Sequence, residues 1–125
     1  MKLSLAQSIV ITALQLAAHD NKSIAVAVVD DHGELIAFNK MDGCAFHAVV
    51  LAQNKAYTAA RENQPTSSLA QWAKATGKDM GYWTDPRFTG IAGGVPIELD
   101  GDMIGAIGIS GLSEEQDEAL AMKAI

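Results

Sequence analysis

Cysteine is nearly absent from this chain: Cys44 is the only one among 125 residues, so no internal disulfide can form. A lone thiol suits a reducing compartment, and the cytoplasm is the expected location. Arginine is almost as scarce, with Arg61 and Arg87 alone, and the net charge is −6. Nothing here resembles the basic patch that neutralises phosphates, which argues against nucleic acid and anionic membrane as partners. No apolar run reaches the ~20 residues of a membrane span. The nearest begins after Lys2 and continues to Ala18, but Gln7 and Gln15 interrupt it. It then runs into a strand pattern without a convincing cleavage site, so it reads as structure and not as a secretory signal. The three histidines, His19, His32 and His47, show neither HxH nor HExxH spacing, so no metal site is expected. GxxxxGK[ST] and GxGxxG are also missing, which excludes a phosphate loop.

What is present is a core. Apolar residues make up 49% of the chain, and a chain of this length buries about two thirds of its unfolded surface. One domain spanning residues 1–125 is expected, since no linker or internal repeat appears. Leu5, Ile9, Ala13 and Leu16 recur at helical spacing, predicting a first helix that ends near His19 and Asp20. Residues 23–30 and 35–40 read as strands joined by Asp31-His32-Gly33, a hairpin signal. Residues 45–63 predict the best helix, which Pro65 stops. Thr66, Ser67 and Ser68 offer an N-cap for a shorter helix that ends at Gly77. Between Lys78 and Thr89 the pattern gives way to Tyr82, Trp83, Pro86 and Phe88, an ordered loop packed by its aromatics. Residues 95–99 and 103–110 form a second hairpin around Asp100-Gly101, and Ser113 caps a final helix with Glu114 and Glu115 in its first turn. Hairpins make antiparallel sheets, and helices gathered on such a sheet make an α+β fold. The glycines at 105, 108 and 111 allow either helices packed close on a thin strand or close approach of a ligand.

Several residues carry alternative readings. Gly93-Gly94, ahead of a strand, is either a tight launching turn or a cradle whose N–H groups bind a carboxylate. Lys55, amid small residues on a helix, reads first as a lysine solvated at its tip. Alternatively it holds an anion, or acts as a base or Schiff-base nucleophile if desolvated. Asp30 and Asp42 read as strand-end turn caps, Asp42 also as a cap for the following helix, or as an acid/base pair if they share a cavity. His19 is either a dipole partner at a helix C-terminus or a single axial ligand for haem. Cys44 near His47 offers a thiolate–imidazole pair, without an oxyanion motif beside it.

The blocks Ala27-Val28-Val29-Asp30, Gly33-Glu34-Leu35-Ile36 and Lys40-Met41-Asp42-Gly43 resemble the GlcG/HbpS family. So do Ala52 through Ala59, Gly93-Gly94-Val95-Pro96-Ile97, Ile104 through Gly111, and Asp117. The resemblance runs in register along nearly the whole chain and extends to the C-terminal domain of PduO-type proteins. It implies a profilin-like or PAS-like five-stranded antiparallel sheet flanked by helices, assembled into homo-oligomers. Some members bind haem, and others accompany catabolic gene clusters. Lys55, Gly93, Gly94 and Pro96 stand at the family's most characteristic pocket-side positions, which the resemblance marks as ligand-binding. His19 stands near where haem-binding relatives offer an axial histidine. Two departures matter. Lys40 replaces the usual Arg of an Arg-Met-Asp motif, removing a bidentate fork, and Phe46-His47 replaces a small residue at the pocket mouth.

Two functions of different class follow. One is a small-ligand-binding domain taking haem or a small organic acid. The other is a small enzyme of isomerase, tautomerase or deaminase type acting on an organic acid, with Lys55, Asp42 and His47 as its catalytic groups. A structural, oligomerising partner of a neighbouring enzyme is a third.

Overall fold

A computed structural model describes all residues, Met1–Ile125. The elements run α1 (Leu3–His19), β1 (Ala25–Asp30), β2 (Leu35–Lys40), α2 (Ala48–Glu62), α3 (Thr66–Thr76), a 3-10 turn (Met80–Trp83), β3 (Gly94–Leu99), β4 (Asp102–Ser110) and α4 (Glu114–Ala124). The strands form one sheet in the order β2-β1-β4-β3, every pair antiparallel. The architecture is therefore α+β with four strands, one fewer than the family resemblance implied. The segment between α3 and β3 contributes no strand, only the 3-10 turn and an irregular loop.

Alternation along the strands assigns the two faces. Val26, Val28, Ile107 and Ile109 point into a core shared with Ile9, Val10 and Ala13 of α1 and with Leu120, Ala121 and Ala124 of α4. Their neighbours Ala25, Ala27, Val29 and Ala106 point the other way, onto Ala48, Ala52, Ala56, Ala59 and Ala60 of α2. One layer is filled by branched side chains and the other almost wholly by alanine. The second layer is thin because the sequence leaves nothing to hold helix and sheet apart. A Cβ on Gly108 would collide with the Ala52 carbonyl, and one on Gly94 with the Lys55 carbonyl. Of the two readings of the β4 glycines, close helix packing is what Gly108 serves.

Local chemistry sets the element ends. Asp30 Oδ1 accepts N–H bonds from His32 and Glu34, closing the first hairpin. Ser113 and Gln116 form a reciprocal capping box at α4. Asp42 caps no helix: α2 begins three residues later than expected, with His47 at its N-cap and no side-chain cap. The hydroxyls at the start of α3 do not cap it either, because Pro65 holds the N-cap position. Thr66 is buried and turned inward, its Oγ1 donating to the Ile91 carbonyl and accepting from the Gly94 N–H.

Candidate functional site

Antiparallel topology gathers most of the singled-out residues at one end of the sheet. There β1 and β3 begin and β2 and β4 end, in the registers Ala25↔Lys40, Ala25↔Ser110 and Gly94↔Gly108. The C-terminus of α1 and the N-termini of α2 and α4 adjoin these strand ends in the chain. His19, Lys40, Asp42, His47, Gly93, Gly94 and Asp117 all belong to this end. They divide into an interior group and a surface group.

The interior group centres on Lys55, which is fully buried at 0% exposure rather than solvated at its tip. Its Nζ donates to the Ile109 carbonyl at 2.8 Å and to Asp117 Oδ2 at 3.0 Å. Asp117 is 2% exposed, and its Oδ1 accepts the Leu112 N–H. The ion pair therefore ties the middle of α2 to the first turn of α4 past the end of β4. Burial pushes the Lys55 ammonium below its ordinary pKa and the Asp117 carboxyl above its own, while their mutual attraction opposes both shifts. Burial is the largest influence on each, so the pair gives up much of its Coulomb gain to desolvation.

Gly93 is in contact with this pair. At φ +130° it adopts a backbone open to glycine, and a Cβ there would lie 2.5 Å from the Ile109 carbonyl and 2.8 Å from Lys55 Nζ. Two of the three N–H groups at the glycine pair have internal acceptors, and the Gly93 N–H has none. Gly94 donates to Thr66 Oγ1, and Ala92 donates to Glu114 Oε1. Pro96 is half-buried within β3, which lies on the outer edge of the sheet, where a missing N–H is tolerated. Lys55 and Gly93 thus share one locus, and it is packed: none of the five principal hollows is lined by Lys55, Gly93, Gly94 or Pro96. Ser110 Oγ, also at this end, is the one buried side-chain polar atom without a partner.

The surface group lies toward the β2 edge of the sheet, opposite the β3 edge that carries Gly94. An open hollow of about 560 Å³ is lined by Leu14, Gln15 and Ala18 of α1 and by Lys40, Met41 and Asp42. His19 follows Ala18 at the end of the same helix and is exposed. A smaller hollow of about 170 Å³ lies between α1 and α4, with Lys22 and Lys123 among its lining residues. Asp42 and His47 are both exposed, and neither bonds to Lys55. Buried Cys44 packs in the alanine layer.

The comparisons with known proteins agree in kind. A family model described as "Haem degrading protein HbpS-like" matches residues 1–125. The chain belongs to the HbpS-like family. Protein GlcG of Escherichia coli K12 is 38% identical over 106 residues, which is 85% of this HbpS-like chain and 78% of GlcG. A double mutant of Streptomyces reticuli HbpS superposes with a TM-score of 0.90 at 30% identity, covering 99% of this chain and 84% of that one. The PduOC:heme complex superposes with a TM-score of 0.91 at 26% identity, covering 100% and 92%.

Two features of this HbpS-like chain escape sequence reasoning. Asp117 as the partner of Lys55 is one, because 62 residues separate them and no spacing rule connects them. The other is the trio Asp30, Asp31 and His32, whose potential ligand atoms lie within 4.8 Å of one another. Its members read individually as turn residues, and Asp30 is in fact committed to the hairpin. No helix is long and apolar enough to cross a membrane.

Proposed function

We propose that this chain binds haem at the surface hollow beside the C-terminus of α1, where the His19 imidazole would hold the iron. The observation that carries this reading is an exposed histidine at the end of a helix that walls an open hollow of about 560 Å³. The residues fit the group. Leu14, Ala18 and Met41 give an apolar floor for a porphyrin face. Lys40, on the rim, gives an ammonium for a propionate, as a point charge in place of the fork an arginine would supply. The size is within the range of about 300–1,000 Å³ typical of small-molecule sites. The openness of the site favours a porphyrin lying against the surface, and a second copy of the chain over this face would complete its cover. The family description and the haem-complexed structural neighbour lend further support.

When bound, haem supplies iron-centred redox chemistry, and the chain's own residues bind, orient and shield. His19, the last residue of α1, is exposed and so free to offer its imidazole to the iron. Lys55, Gly93, Gly94 and Pro96 line no part of this hollow; the buried ion pair and the close-packed glycines instead fix α2 and α4 against the sheet end.

Haemin titration tests the reading. Wild-type protein is expected to show a saturable Soret shift that His19→Ala abolishes and that His32→Ala and His47→Ala leave in place. An unchanged wild-type spectrum refutes it. The alternative, an enzyme using Lys55, Asp42 and His47 on an organic acid, has less behind it, because Lys55 has no solvent access and its ammonium is already bonded to Ile109 and Asp117.

A further inference from the structure

The chain is poor in aromatics, with three Phe, two Trp and two Tyr, yet both tryptophans and both tyrosines meet on one side of the molecule. A continuous run of ring contacts leads from Tyr57 to Phe88 (5.9 Å between centroids), from Phe88 to Trp83 (5.8 Å), and from Trp83 to Trp72 (4.5 Å, edge-on). Tyr57 anchors the run, with its hydroxyl donating to Asp85 Oδ2 and accepting from Arg87 Nη2. Trp83 is fixed by an indole N–H bond to Glu62 Oε1 at 2.8 Å. Asp79 Oδ1 accepts the Gly81 N–H and so caps the 3-10 turn that carries Tyr82 and Trp83.

At the outer end of this run lies a hollow of about 270 Å³ lined by Trp72, Lys78, Tyr82 and Trp83. Tyr82 is 61% exposed and Trp72 36%, so two large rings face solvent there. The Lys78 ammonium stands over both, 5.9 Å from the Trp72 centroid and 5.6 Å from that of Tyr82. Lys78 forms no salt bridge.

We propose that this hollow is a second binding site, taking a small planar aromatic anion of one or two fused rings. It goes beyond the haem reading, and none of its residues lines the sheet-end hollow. Charge selects the occupant. The position where an aromatic cage would hold a ligand cation is already taken by Lys78, so a cation is repelled. An anion instead gains an ammonium that no carboxylate pairs, held beside two rings, and its own ring gains the exposed aromatic surface. The hollow is slightly below the range of drug-sized pockets, which limits the ligand to a compact ring system. Two of its walls, Trp72 and Trp83, are already held by a hydrogen bond and ring contacts, which lowers the ordering that opposes binding.

The two tryptophans give a direct readout, because both indole N–H signals in a 1H–15N spectrum report this site. The probes are 2-naphthoate and its neutral counterpart 2-naphthamide. Expected is saturable movement of both indole signals with naphthoate, roughly five- to tenfold weaker binding in Lys78→Met, and recovery in Lys78→Arg. Naphthamide binding is expected to be the same in all three proteins. Circular dichroism confirms that each variant is folded, which the exposure of Lys78 favours. Absence of saturable movement overturns the proposal. So does naphthamide binding as tightly as naphthoate, or a Lys78→Met effect below about threefold.

Discussion

Removing one partner of the Lys55–Asp117 pair is expected to cost the fold more than removing both. Asp117→Asn leaves a buried ammonium without its counter-charge, and the new amide NH2 must face one of two donors, Lys55 Nζ or the Leu112 N–H. Breaking a buried pair in this way costs about 3–5 kcal/mol. Unfolding entropy of about 2.1 cal/mol/K per residue, over 125 residues, makes 1 kcal/mol equivalent to roughly 4 °C in Tm. The midpoint should therefore fall by about 12–20 °C. Lys55→Met should cost less, because Asp117 keeps the Leu112 N–H and the favourable N-terminal end of α4. The double variant Lys55→Met/Asp117→Leu removes both charges and refills the space, and should lie within about 1–2 kcal/mol of wild type. Urea unfolding followed by circular dichroism measures all four proteins. The reasoning fails if Asp117→Asn shifts stability by less than about 1 kcal/mol, or if the double variant is no more stable than the worse single.

Three further outcomes follow from the same structure. The Tyr57 hydrogen bond and the Arg87 groups hold the Asp85 carboxyl down at about 2 from its usual 3.8. In that window the folded state binds fewer protons than the unfolded one, so the contribution is present above 3.8 and is lost as pH falls toward 2. Asp85→Asn should flatten the acid limb of stability, read as urea midpoints at pH 2, 3, 4 and 7, and an unchanged slope would count against it. Gly108→Ala should destabilise by about 1–3 kcal/mol or more, because its new methyl meets the backbone of α2 and not a movable side-chain tip. A thermal midpoint within 2 °C of wild type, where 1 kcal/mol is worth roughly 4 °C, contradicts the close approach. Gly93→Ala combines positive φ with a clash against Lys55 Nζ and should lower Tm further than Gly101→Ala, which has positive φ but no neighbour within 4 Å. Equal losses in the two variants would show that the packing around Gly93 is looser than the contacts indicate.

The elements themselves were largely legible. Asp31-His32-Gly33 and Asp100-Gly101 announce the two hairpins that are found, and Ser113 announces the α4 cap, because turn and cap chemistry is local. The β2 bounds match, while α2 begins at Ala48 because Ala45-Phe46-His47 is used to turn the chain, and helical period alone does not show that. What stayed hidden is what depends on distance in space. Spacing favoured a solvated Lys55, since a lysine among alanines looks peripheral, and nothing within a helical turn reveals a carboxylate on another helix. The inward rotation of Thr66 was hidden for the same reason: a hydroxyl at a helix start reads as a cap until the Gly94 N–H is seen to need it. The family resemblance placed Lys55 and the glycine pair in one region, which spacing could not do.

The contrast between the two faces of the sheet has a consequence for how this protein can change. The α1/α4 side is built mainly from Ile, Val and Leu, with alanines between them, and the branched residues can be exchanged for one another with modest loss so long as volume is kept. The α2 side is built from side chains already near the minimum size, so almost every substitution there adds atoms where none fit. Sequence drift is thus permitted on one side and arrested on the other. New specificities in this scaffold should arise along α1 and the exposed loops, while α2 and its glycine bed persist unaltered beneath them.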